Sequence, residues 1–407
     1  MPVLMNDAAI GRLKSYLDEI GNVLAIPSRR ESFAMYAAGI LGDAERKSTE
    51  PIAARACADP KKADALHQRL LHFVSNSTWS DHDVRRIAAK YAIKSMTARD
   101  PVETWIVDDT GFLKQGTHSV GVQHQYTGSA GKVTNCQIGV SLTVATREDH
   151  VPIDFELYLP ESWLSDERRA EARIPDNVVF KTKLQLALDM IRRARRNRIP
   201  RGIVLADSAF GNSSDFRAQL RKLGLHYAVG VSPQTAVFLL DPVSGQPGAR
   251  MEVRDLAFKI EQSGGFRRCT WRQGTKQDLS ARFTRMRVVP AHDDGVEPAK
   301  REPLWLLIEW RDGETEPANF FLSSLSTRWT KKKLIEVVMQ RWRTERAYED
   351  LKGELGIDHF EGRRFAGWHH HVSVVLCCYA FVIAERVRHF PPSAVGTSLA
   401  DSIHHAA

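Results

Sequence analysis

TWIVDDTGF, residues 104–112, is an apolar run with strand composition that ends in two acids and a turn. RGIVLADSAFG, residues 201–211, repeats the pattern, because an apolar strand leads to Asp207 and small residues and a glycine follow. Segments with apolar residues three and four positions apart, typical of helices, alternate with strand segments between and after these two runs. Strands that alternate with helices indicate an α/β core.

The character of the 407-residue chain changes along its length, and the chain is longer than one domain usually is. The predicted architecture is an α/β core with a helical N-terminal domain and a β-rich, turn-rich insertion. The predicted boundaries are a helical N-terminal domain at residues 1–100, the two parts of the core at 101–232 and 319–390, the insertion at 233–318, and a tail at 391–407.

The charge of the chain is compatible with a nucleic-acid partner, and its cysteine content argues against a protein held together by disulfides or zinc. Lys and Arg total 57 against 49 Asp and Glu, which suits a polyanionic partner such as nucleic acid but is also found in ordinary basic proteins. The five cysteines are scattered and form no C-x-x-C pair, so we expect neither a disulfide framework nor a structural zinc site. Cys377 and Cys378 lie in an apolar run and are predicted to be core residues.

Targeting signals are not expected in this chain. The N-terminus lacks the basic region and the long apolar region of a signal peptide. The best candidate for a membrane span, residues 372–383, is shorter than the roughly 18 apolar residues that a transmembrane helix needs. We therefore expect a soluble, cytoplasmic protein with no membrane partner.

Two strand-end acids are candidates for chemistry. Asp108 lies next to a turn, where a carboxylate can face a cleft at the edge of a sheet. Its neighbour Asp109 is the alternative, because adjacent strand residues point to opposite faces and only one of the two can face the same site. Asp207 ends its own strand in the same way, and parallel strands bring their ends together. A turn or helix cap is the ordinary alternative for each acid.

A third acid lies on TKKKLIEVVMQRWRTERAYEDLKGELG, residues 330–356, which is predicted to be one long amphipathic helix. Arg341, Glu345 and Lys352 are spaced by four and seven residues, which puts all three along one helical face. An ordinary solvated face is the alternative. Glu349, one turn further along, competes with Glu345 for a functional role.

Acids on two strands and one helix suit metal-dependent phosphodiester chemistry. Cleavage and strand transfer must activate a water or a 3′-hydroxyl and stabilise a leaving oxygen, and two Mg²⁺ ions roughly 3.5–4 Å apart do both. Mg²⁺ prefers hard oxygen ligands, keeps several waters and takes few carboxylates from the protein. Nearby Arg and Lys side chains can hold phosphates.

Three segments in this order, WIVDDTGFLKQG, VLADSAFG and QRWRTERAYEDLKGELGIDHFEGR, resemble the DDE transposases of bacterial insertion sequences. The most similar subgroup carries a signature of Tyr, two residues, Arg, three residues, Glu, six residues and Lys. Arg341, Glu345 and Lys352 occupy its last three positions, and Val338 stands where the tyrosine is expected. The resemblance covers roughly residues 30–390 and includes QYTGSAGKVTNCQIGVSL and GWHHHV.

The resemblance implies an RNase H-like core, a helical N-terminal region that binds transposon ends, and two Mg²⁺ ions, for which Mn²⁺ can substitute. It implies metal ligation by Asp108, Asp207 and Glu345, with Arg341 and Lys352 as further catalytic residues. Asp108 is preferred over Asp109 because family members often show Asp, any residue, then Thr or Ser here.

The implied reaction is cleavage of double-stranded DNA at the terminal inverted repeats, followed by attack of the freed 3′-hydroxyl on target DNA. The implied assembly is a homodimer on DNA, associated with the bacterial nucleoid. Two other functions remain open: a catalytically silent DNA-binding protein derived from a transposase, and an RNase H-like nuclease that cuts without joining.

Other clusters carry weaker expectations. Residues 181–201 contain eight Lys or Arg and one acid, Asp189, and can either track a DNA backbone or form a solvated helix face. The three lysines at 331–333 begin the glutamate-bearing helix and can approach phosphates. The consecutive histidines 369–371 point in different directions on a helix, so a three-histidine metal site is not expected. Trp342 is predicted to pack rather than to stack on bases.

Overall fold

The computed structural model describes residues 7–241, 243–272, 278–292 and 296–389. The predicted tail, residues 391–407, lies outside the described residues. The chain divides into two compact units. The first comprises residues 1–102, 108–200 and 343–407, and the second comprises residues 103–107 and 201–342. Both units contain helices and strands, so the predicted α/β class is confirmed.

The helices follow one another along the chain with strands between them. The described helices are α1 (Asp7–Gly21), α2 (Pro27–Leu41), α3 (Thr49–Ala56), α4 (Pro60–Ser75), α5 (Asp81–Thr97), α6 (Asp166–Ala172), α7 (Lys183–Arg196), α8 (Ser208–Gly211), α9 (Ser214–Lys222), α10 (Val253–Gln262), α11 (Lys331–Val338), α12 (Trp342–Gly353) and α13 (Phe365–His389). The described strands are β1 (Thr104–Leu113), β2 (Gln123–Thr127), β3 (Lys132–Ala145), β4 (His150–Tyr158), β5 (Ile203–Ala206), β6 (Tyr227–Val231), β7 (Ala236–Leu240), β8 (Pro247–Glu252), β9 (Arg267–Arg272), β10 (Leu279–Pro290), β11 (Leu304–Trp310) and β12 (Asn319–Ser323).

Helix signals in the sequence explain the first five helices. Residues 7–100, all of which are described, contain no strand, as their periodicity predicts. Pro60 begins α4, and the Asp59 side chain accepts the N–H of Lys61 at 3.0 Å. At the start of α5, Ser80 Oγ accepts the N–H of Asp83 at 3.1 Å. Side chains therefore satisfy backbone donors at both helix starts.

In the first unit, helices pack around α13 and beside a group of antiparallel strands. β3 pairs antiparallel with β2 and with β4, and β3 is also a neighbour of β1. α13 contacts α2, α4, α5 and β4, and its Cys377 and Cys378 are buried, as predicted. The apolar run at residues 372–383 is the middle of this longer helix.

α13 corrects one expectation from the sequence. Its most apolar 18-residue window has a mean hydropathy of 1.3, so by length and composition this helix could cross a membrane. Of that window 83% is buried within the structure. The apolar character is therefore that of a core helix, whose side chains are covered by the surrounding helices and strand.

In the second unit, a mixed sheet contains the start of β1. β1, β5 and β6 are neighbours and run parallel, and β12, β11, β10, β7 and β8 follow in this order as antiparallel neighbours. β9 adds to β10. Most of the strands after β6 fall within residues 233–318, where the turn-rich sequence indicates β structure, and the domain boundaries themselves stay a prediction.

The segment at residues 330–356 differs from the single helix predicted. α11 and α12 are separate helices, joined by a 3-10 turn at Met339–Arg341. The apolar residues of α11, such as Leu334 and Ile335, are buried in the second unit, whereas those of α12, such as Leu351, are buried in the first. The 3-10 segment thus lies where the chain passes from the second unit to the first.

Candidate active site

Asp207 follows β5 directly and caps the short helix α8. Its Oδ1 accepts the N–H of Ala209 at 2.9 Å and that of Phe210 at 3.4 Å. The capping role that the sequence left open is therefore present, and it fixes the orientation of the carboxylate. Among the described residues, Oδ2 of the same carboxylate has no hydrogen-bond partner, so one oxygen can serve another ligand.

Two glycines let the backbone at Asp207 lie against β6. A Cβ atom on Gly211 would lie 2.0 Å from the carbonyl oxygen of Gly230. A Cβ atom on Gly230 would lie 3.0 Å from the backbone nitrogen of Ser208. Only glycine fits this close approach without a shift of the backbone, so the turn that carries Asp207 is held close to the neighbouring strand.

The pairing of β1 with β5 relates Asp108 and Asp207. The sequence predicted both acids at strand ends, which is correct for Asp207 but wrong for Asp108, because β1 continues to Leu113 and Asp108 lies within the strand. The strands are parallel, and Ile106 is opposite Leu205. Asp108 and Asp207 each come two residues after a member of this pair in the sequence. The two acids therefore occupy corresponding positions in the sequences of two paired strands.

Asp108 and Asp109 have different surroundings, although they are adjacent. Asp108 is buried, with 8% of its surface exposed, and its Oδ1 accepts the N–H of Asp109 at 2.8 Å. The Asp109 carboxylate pairs with Lys183 of α7, at 2.6 Å between Oδ2 and Nζ. Because side chains of adjacent strand residues point to opposite faces, α7 engages the carboxylate on the face away from that of Asp108.

Glu345 is an exposed residue on a helix that is fixed by its buried side. The next residue toward the N-terminus, Thr344, forms a 2.6 Å hydrogen bond between its Oγ1 and that of Thr143 on β3. One turn later, the Tyr348 hydroxyl lies 2.6 Å from Oγ of Ser141, also on β3. These two buried contacts hold α12 against β3 and leave Glu345 on the exposed side of the helix.

The competing acid Glu349 is engaged locally. It is exposed, and its Oε2 accepts a hydrogen bond from Nη1 of Arg346 at 2.9 Å, within the same helix. Arg346 also pairs with the buried Asp350 at 3.0 Å. Glu349 is therefore part of a chain of ion pairs along α12.

The two basic residues of the signature are placed differently from each other. Lys352 Nζ donates to Oγ1 of Thr110 at 2.8 Å and to the carbonyl oxygen of Gly111 at 2.9 Å, and burial lowers the pKa of Lys352. It thus ties α12 to the part of β1 that follows Asp108. Arg341 lies in the 3-10 turn before α12. The predicted common helical face is therefore corrected: it holds for Glu345 and Lys352, while Arg341 precedes the helix because the chain tightens there.

The sequence around the two aspartates matches a known family. Residues 20–278 match the model of a family described as DDE superfamily endonuclease, and the match covers more than half of the chain. This chain belongs to the DDE superfamily endonucleases. The matched region includes Asp108 and Asp207 and ends before Glu345.

A curated relative of this DDE endonuclease is the probable transposase for insertion sequence element IS701 of Microchaete diplosiphon. The two are 26% identical over 211 residues, which cover 52% of this chain and 51% of the relative. The chain thus matches about half the length of this relative. The resemblance to insertion-sequence DDE transposases is confirmed by the family match and by this relative.

A buried ion-pair cluster in the first unit of this DDE endonuclease was not expected from the sequence. Arg193 of α7 reaches Asp154 at 2.7 Å and Glu156 at 2.5 Å, and Arg85 of α5 reaches Asp81 at 2.8 Å. Burial alone would raise the pKa of Asp154, but the two guanidinium groups outweigh it and hold the pKa below its usual value.

This cluster also contains a set of atoms that resembles a metal site. Potential ligand atoms of His82, Asp154 and Glu156 lie within 4.8 Å of one another. The guanidinium groups of Arg85 and Arg193 already contact Asp154 and Glu156, so these two carboxylates have cationic partners without a metal ion. The sequence does contain an indication of this cluster. Asp154 and Glu156 are two positions apart on an apolar strand, so they share one face and need a cationic partner.

Four of the eight basic residues at 181–201 pair with acids of the first unit. Lys181 and Arg192 both contact Asp189, at 2.8 and 3.1 Å. Lys183 pairs with Asp109, and Arg193 belongs to the buried cluster. Much of the charge that suggested a DNA-tracking helix therefore has an acidic partner inside the protein.

The histidines and Trp342 follow the expectations from the sequence. The three lysines at 331–333 begin α11 and not the helix that carries Glu345, and their approach to phosphates stays a prediction. The imidazole of His370 faces the carbonyl oxygens of Val74 and Trp79, at 2.8 and 3.2 Å. That of His371 faces the Tyr36 hydroxyl at 2.8 Å, so consecutive histidines do point in different directions. In the second unit, the Trp342 ring packs under the guanidinium of Arg272, 3.9 Å from the ring centroid. The first of the three lysines, Lys331, contacts the carbonyl oxygen of Phe283 at 3.4 Å.

Proposed function

We propose that this DDE endonuclease is a transposase that cleaves DNA at the ends of an insertion sequence and joins the freed 3′-hydroxyl to target DNA. The observation that carries the proposal is the parallel pairing of β1 and β5, which gives Asp108 and Asp207 corresponding positions on paired strands. We further propose that β1, β3, β4, β5 and β6 belong to the RNase H-like core that the family resemblance implies.

The donor set suits a hard divalent cation such as Mg²⁺, or Mn²⁺ in its place. We propose that Asp108, Asp207 and Glu345 hold two such ions. The Oδ2 atom of Asp207, the exposed carboxylate of Glu345 and the pairing of Asp109 with Lys183 support this choice. When bound, a pair of ions activates a water or 3′-hydroxyl and stabilises the leaving oxygen.

The basic residues complete the proposed site. Lys352, through its contacts with Thr110 and Gly111, holds the end of β1 that carries Asp108, and its charge favours an approaching phosphate. Arg341 presents a planar guanidinium that can bind two phosphate oxygens at once. We propose double-stranded DNA with terminal inverted repeats as substrate, a homodimer on DNA as the active assembly, and the bacterial cytoplasm as its location.

The test is cleavage of labelled end DNA, from the element that encodes the chain, in the presence of Mg²⁺. In Asp207→Asn, the amide oxygen can still accept the Ala209 N–H, so the α8 cap is kept while one carboxylate is lost. We expect cleavage and joining to fall by about 10³-fold or more, because a metal ion contributes several kcal/mol to such a reaction and each 1.36 kcal/mol is tenfold. Binding of the same DNA in Ca²⁺ should persist.

Asp108→Asn and Asp109→Asn form a matched pair of variants on one strand. We expect Asp108→Asn to abolish cleavage and Asp109→Asn to retain most of it, since Asp109 is engaged by Lys183. The reverse result would reassign the first ligand, and wild-type rates in Asp207→Asn would overturn the metal site. Products that are cut but not joined would identify a nuclease, and binding without cleavage by the wild type would identify a silent DNA-binding protein.

A further inference from the structure

A cavity of about 650 Å³ opens in the first unit among residues outside the proposed catalytic set. It lies between the segment before α5, the end of β4, the segment before α7 and the start of α13. Its volume is within the range of about 300–1,000 Å³ that small-molecule pockets have. All the residues that line it belong to the first unit.

His369 of α13 is a buried polar group in the wall of this cavity. It is 5% exposed, and neither Nδ1 nor Nε2 has a hydrogen-bond partner among the described residues. The nearest acidic oxygens, on Asp81 and Glu156, are 3.7 and 4.0 Å from Nδ1, beyond hydrogen-bonding distance. A buried polar group without a partner is costly, so this ring is arranged for a ligand that enters the cavity.

The neutral form of the ring defines what it can recognise. Burial lowers the pKa of His369 to about 4, so at neutral pH the imidazole offers one N–H donor and one nitrogen acceptor. The carboxylates of Asp81 and Glu156 add acceptors to the same wall. A mixture of donors and acceptors matches the polar edge of a heterocyclic base better than it matches a simple anion.

One aromatic ring in the same wall lies beside the unpartnered histidine. The half-buried Phe365 ring has its centroid 4.5 Å from that of His369. The Trp79 ring, by contrast, is buried and stacks on His370 at 3.8 Å and on Phe73 at 5.3 Å between centroids, so it packs within the wall. An aromatic ring such as Phe365 beside a polar group favours a planar heterocycle.

The part of the cavity wall at the start of α13 favours an anion. α13 has 25 residues and no acid in its first turn, so the positive end of its dipole is not neutralised there. Arg364 precedes the helix, and both it and Arg173 line the cavity. The acids of the cavity wall, by contrast, already contact Arg85 and Arg193. Phosphate is therefore favoured beside Arg364 and a base beside His369.

We propose that this cavity binds one unpaired nucleotide of DNA, with its phosphate at the start of α13 near Arg364 and its base against His369. The proposal rests on the proposed function for the presence of DNA. A free nucleoside monophosphate has the same chemistry, and the experiment below distinguishes the two sources.

The probe is a DNA duplex with a single unpaired 2-aminopurine nucleotide, compared with the same duplex fully paired. Affinity and 2-aminopurine fluorescence are measured with the full chain in Ca²⁺. We expect the wild type to bind the duplex with the unpaired nucleotide about tenfold more tightly, because base stacking on aromatic groups is worth about 1–3 kcal/mol and 1.4 kcal/mol is tenfold. We expect the fluorescence to fall as the base stacks.

Variants assign the effect to the cavity. We expect His369→Leu to remove the preference for the unpaired nucleotide and His369→Gln, which keeps a donor and an acceptor, to retain part of it. Arg364→Ala should weaken the preference, whereas Arg363→Ala, at an exposed neighbouring residue outside the cavity wall, should leave it unchanged. Circular dichroism confirms folding, and Arg364→Ala provides the test if His369→Leu does not fold.

Three results would overturn the proposal. The first is equal affinity of the wild type for the two duplexes, and the second is a preference that survives in both His369→Leu and Arg364→Ala. The third is binding of deoxyadenosine monophosphate or inorganic phosphate without any preference among duplexes, which would assign the cavity to a free ligand. The experiment measures binding in Ca²⁺ and does not depend on cleavage. A wild-type chain that prefers the duplex with the unpaired nucleotide but cleaves no DNA would therefore refute the transposase function and leave the proposed nucleotide site intact.

Discussion

Replacement of Thr344 by valine tests how the helix that carries Glu345 is held. Thr344 and Thr143 are both fully buried, and their hydroxyl oxygens are 2.6 Å apart. Valine has nearly the same shape as threonine, so the change removes the hydrogen bond and leaves the Thr143 hydroxyl without this partner. A buried polar group that loses its partner costs about 1–3 kcal/mol, and we expect Thr344→Val to lower the free energy of unfolding by that amount.

The double variant separates the hydrogen bond from packing. Thr143→Val alone should cost about the same, since it leaves the Thr344 hydroxyl unpaired. When both hydroxyls are replaced, two apolar groups of similar shape meet, and the cost should be small. The coupling free energy in the double-mutant cycle should therefore be close to the sum of the two single costs, about 2–6 kcal/mol.

Urea unfolding followed by circular dichroism measures the three variants, with Thr327→Val as a control at an exposed residue. Cleavage rates of the single variants should fall as well, because Thr344 precedes Glu345 on the same helix. Single effects that add within about 0.5 kcal/mol would refute the reasoning, since they would show that the two hydroxyls do not depend on each other.

Further predictions concern the buried cluster, the turn at Asp207 and the basic helix. Asp154→Asn should cost about 3–5 kcal/mol at neutral pH by leaving Arg193 partly unpaired. The pKa of Asp154 is lower in the folded protein than the value of about 3.9 in the unfolded chain, so the ionised carboxylate stabilises the fold above that pH. This stabilisation is lost as the pH falls toward the folded pKa. The free energy of unfolding of Asp154→Asn, measured in urea, should therefore depend less on pH below about 5 than that of the wild type. Gly211→Ala should lower the melting temperature and DNA cleavage, while Gly116→Ala, with open space around its Cβ position, should change neither. Arg193→Met should lower the free energy of unfolding but leave the salt dependence of DNA affinity unchanged, because Arg193 pairs with acids of the protein. A slope of log affinity against log salt concentration that is smaller in magnitude by about 0.9, the contribution of one phosphate contact, would contradict this role.

Local rules made much of the fold predictable. Apolar runs that lead to an acid identify β5 and the first half of β1 before any tertiary contact is known, because each signal lies within about ten residues. The extension of β1 to Leu113, through the acids and Gly111 where the sequence indicates a turn, was not predictable from these local signals. The cap at Ser80 is equally local, and its hydrogen bond to the N–H of Asp83 is present. The choice between Asp108 and Asp109 was open because strand alternation says that the two differ but does not say which face a helix covers.

Features that depend on distant residues were not predictable. Arg85 and Asp154 are 69 positions apart, and no periodicity links a helix residue to a strand residue at that separation. The 3-10 turn at Met339–Arg341 has no helix-breaking Gly or Pro, so no local signal in the sequence indicates it. His369 was judged only as a metal ligand, since the cavity beside it is formed by four separate segments.

The placement of α7 changes what the net charge of the protein can mean for DNA binding. The formal charge of +8 suggests a surface for a polyanion, and α7 is the most basic helix in the sequence. Yet Lys183 and Arg193 contact acids on β1 and β4, so their charge holds the helix against the strands of the first unit. Such paired cations release few counterions when DNA binds, because their charge is already compensated. We therefore infer that Lys183 and Arg193 hold α7 against the strands beside Asp109, and that these two cations would add little to the DNA binding proposed for this chain.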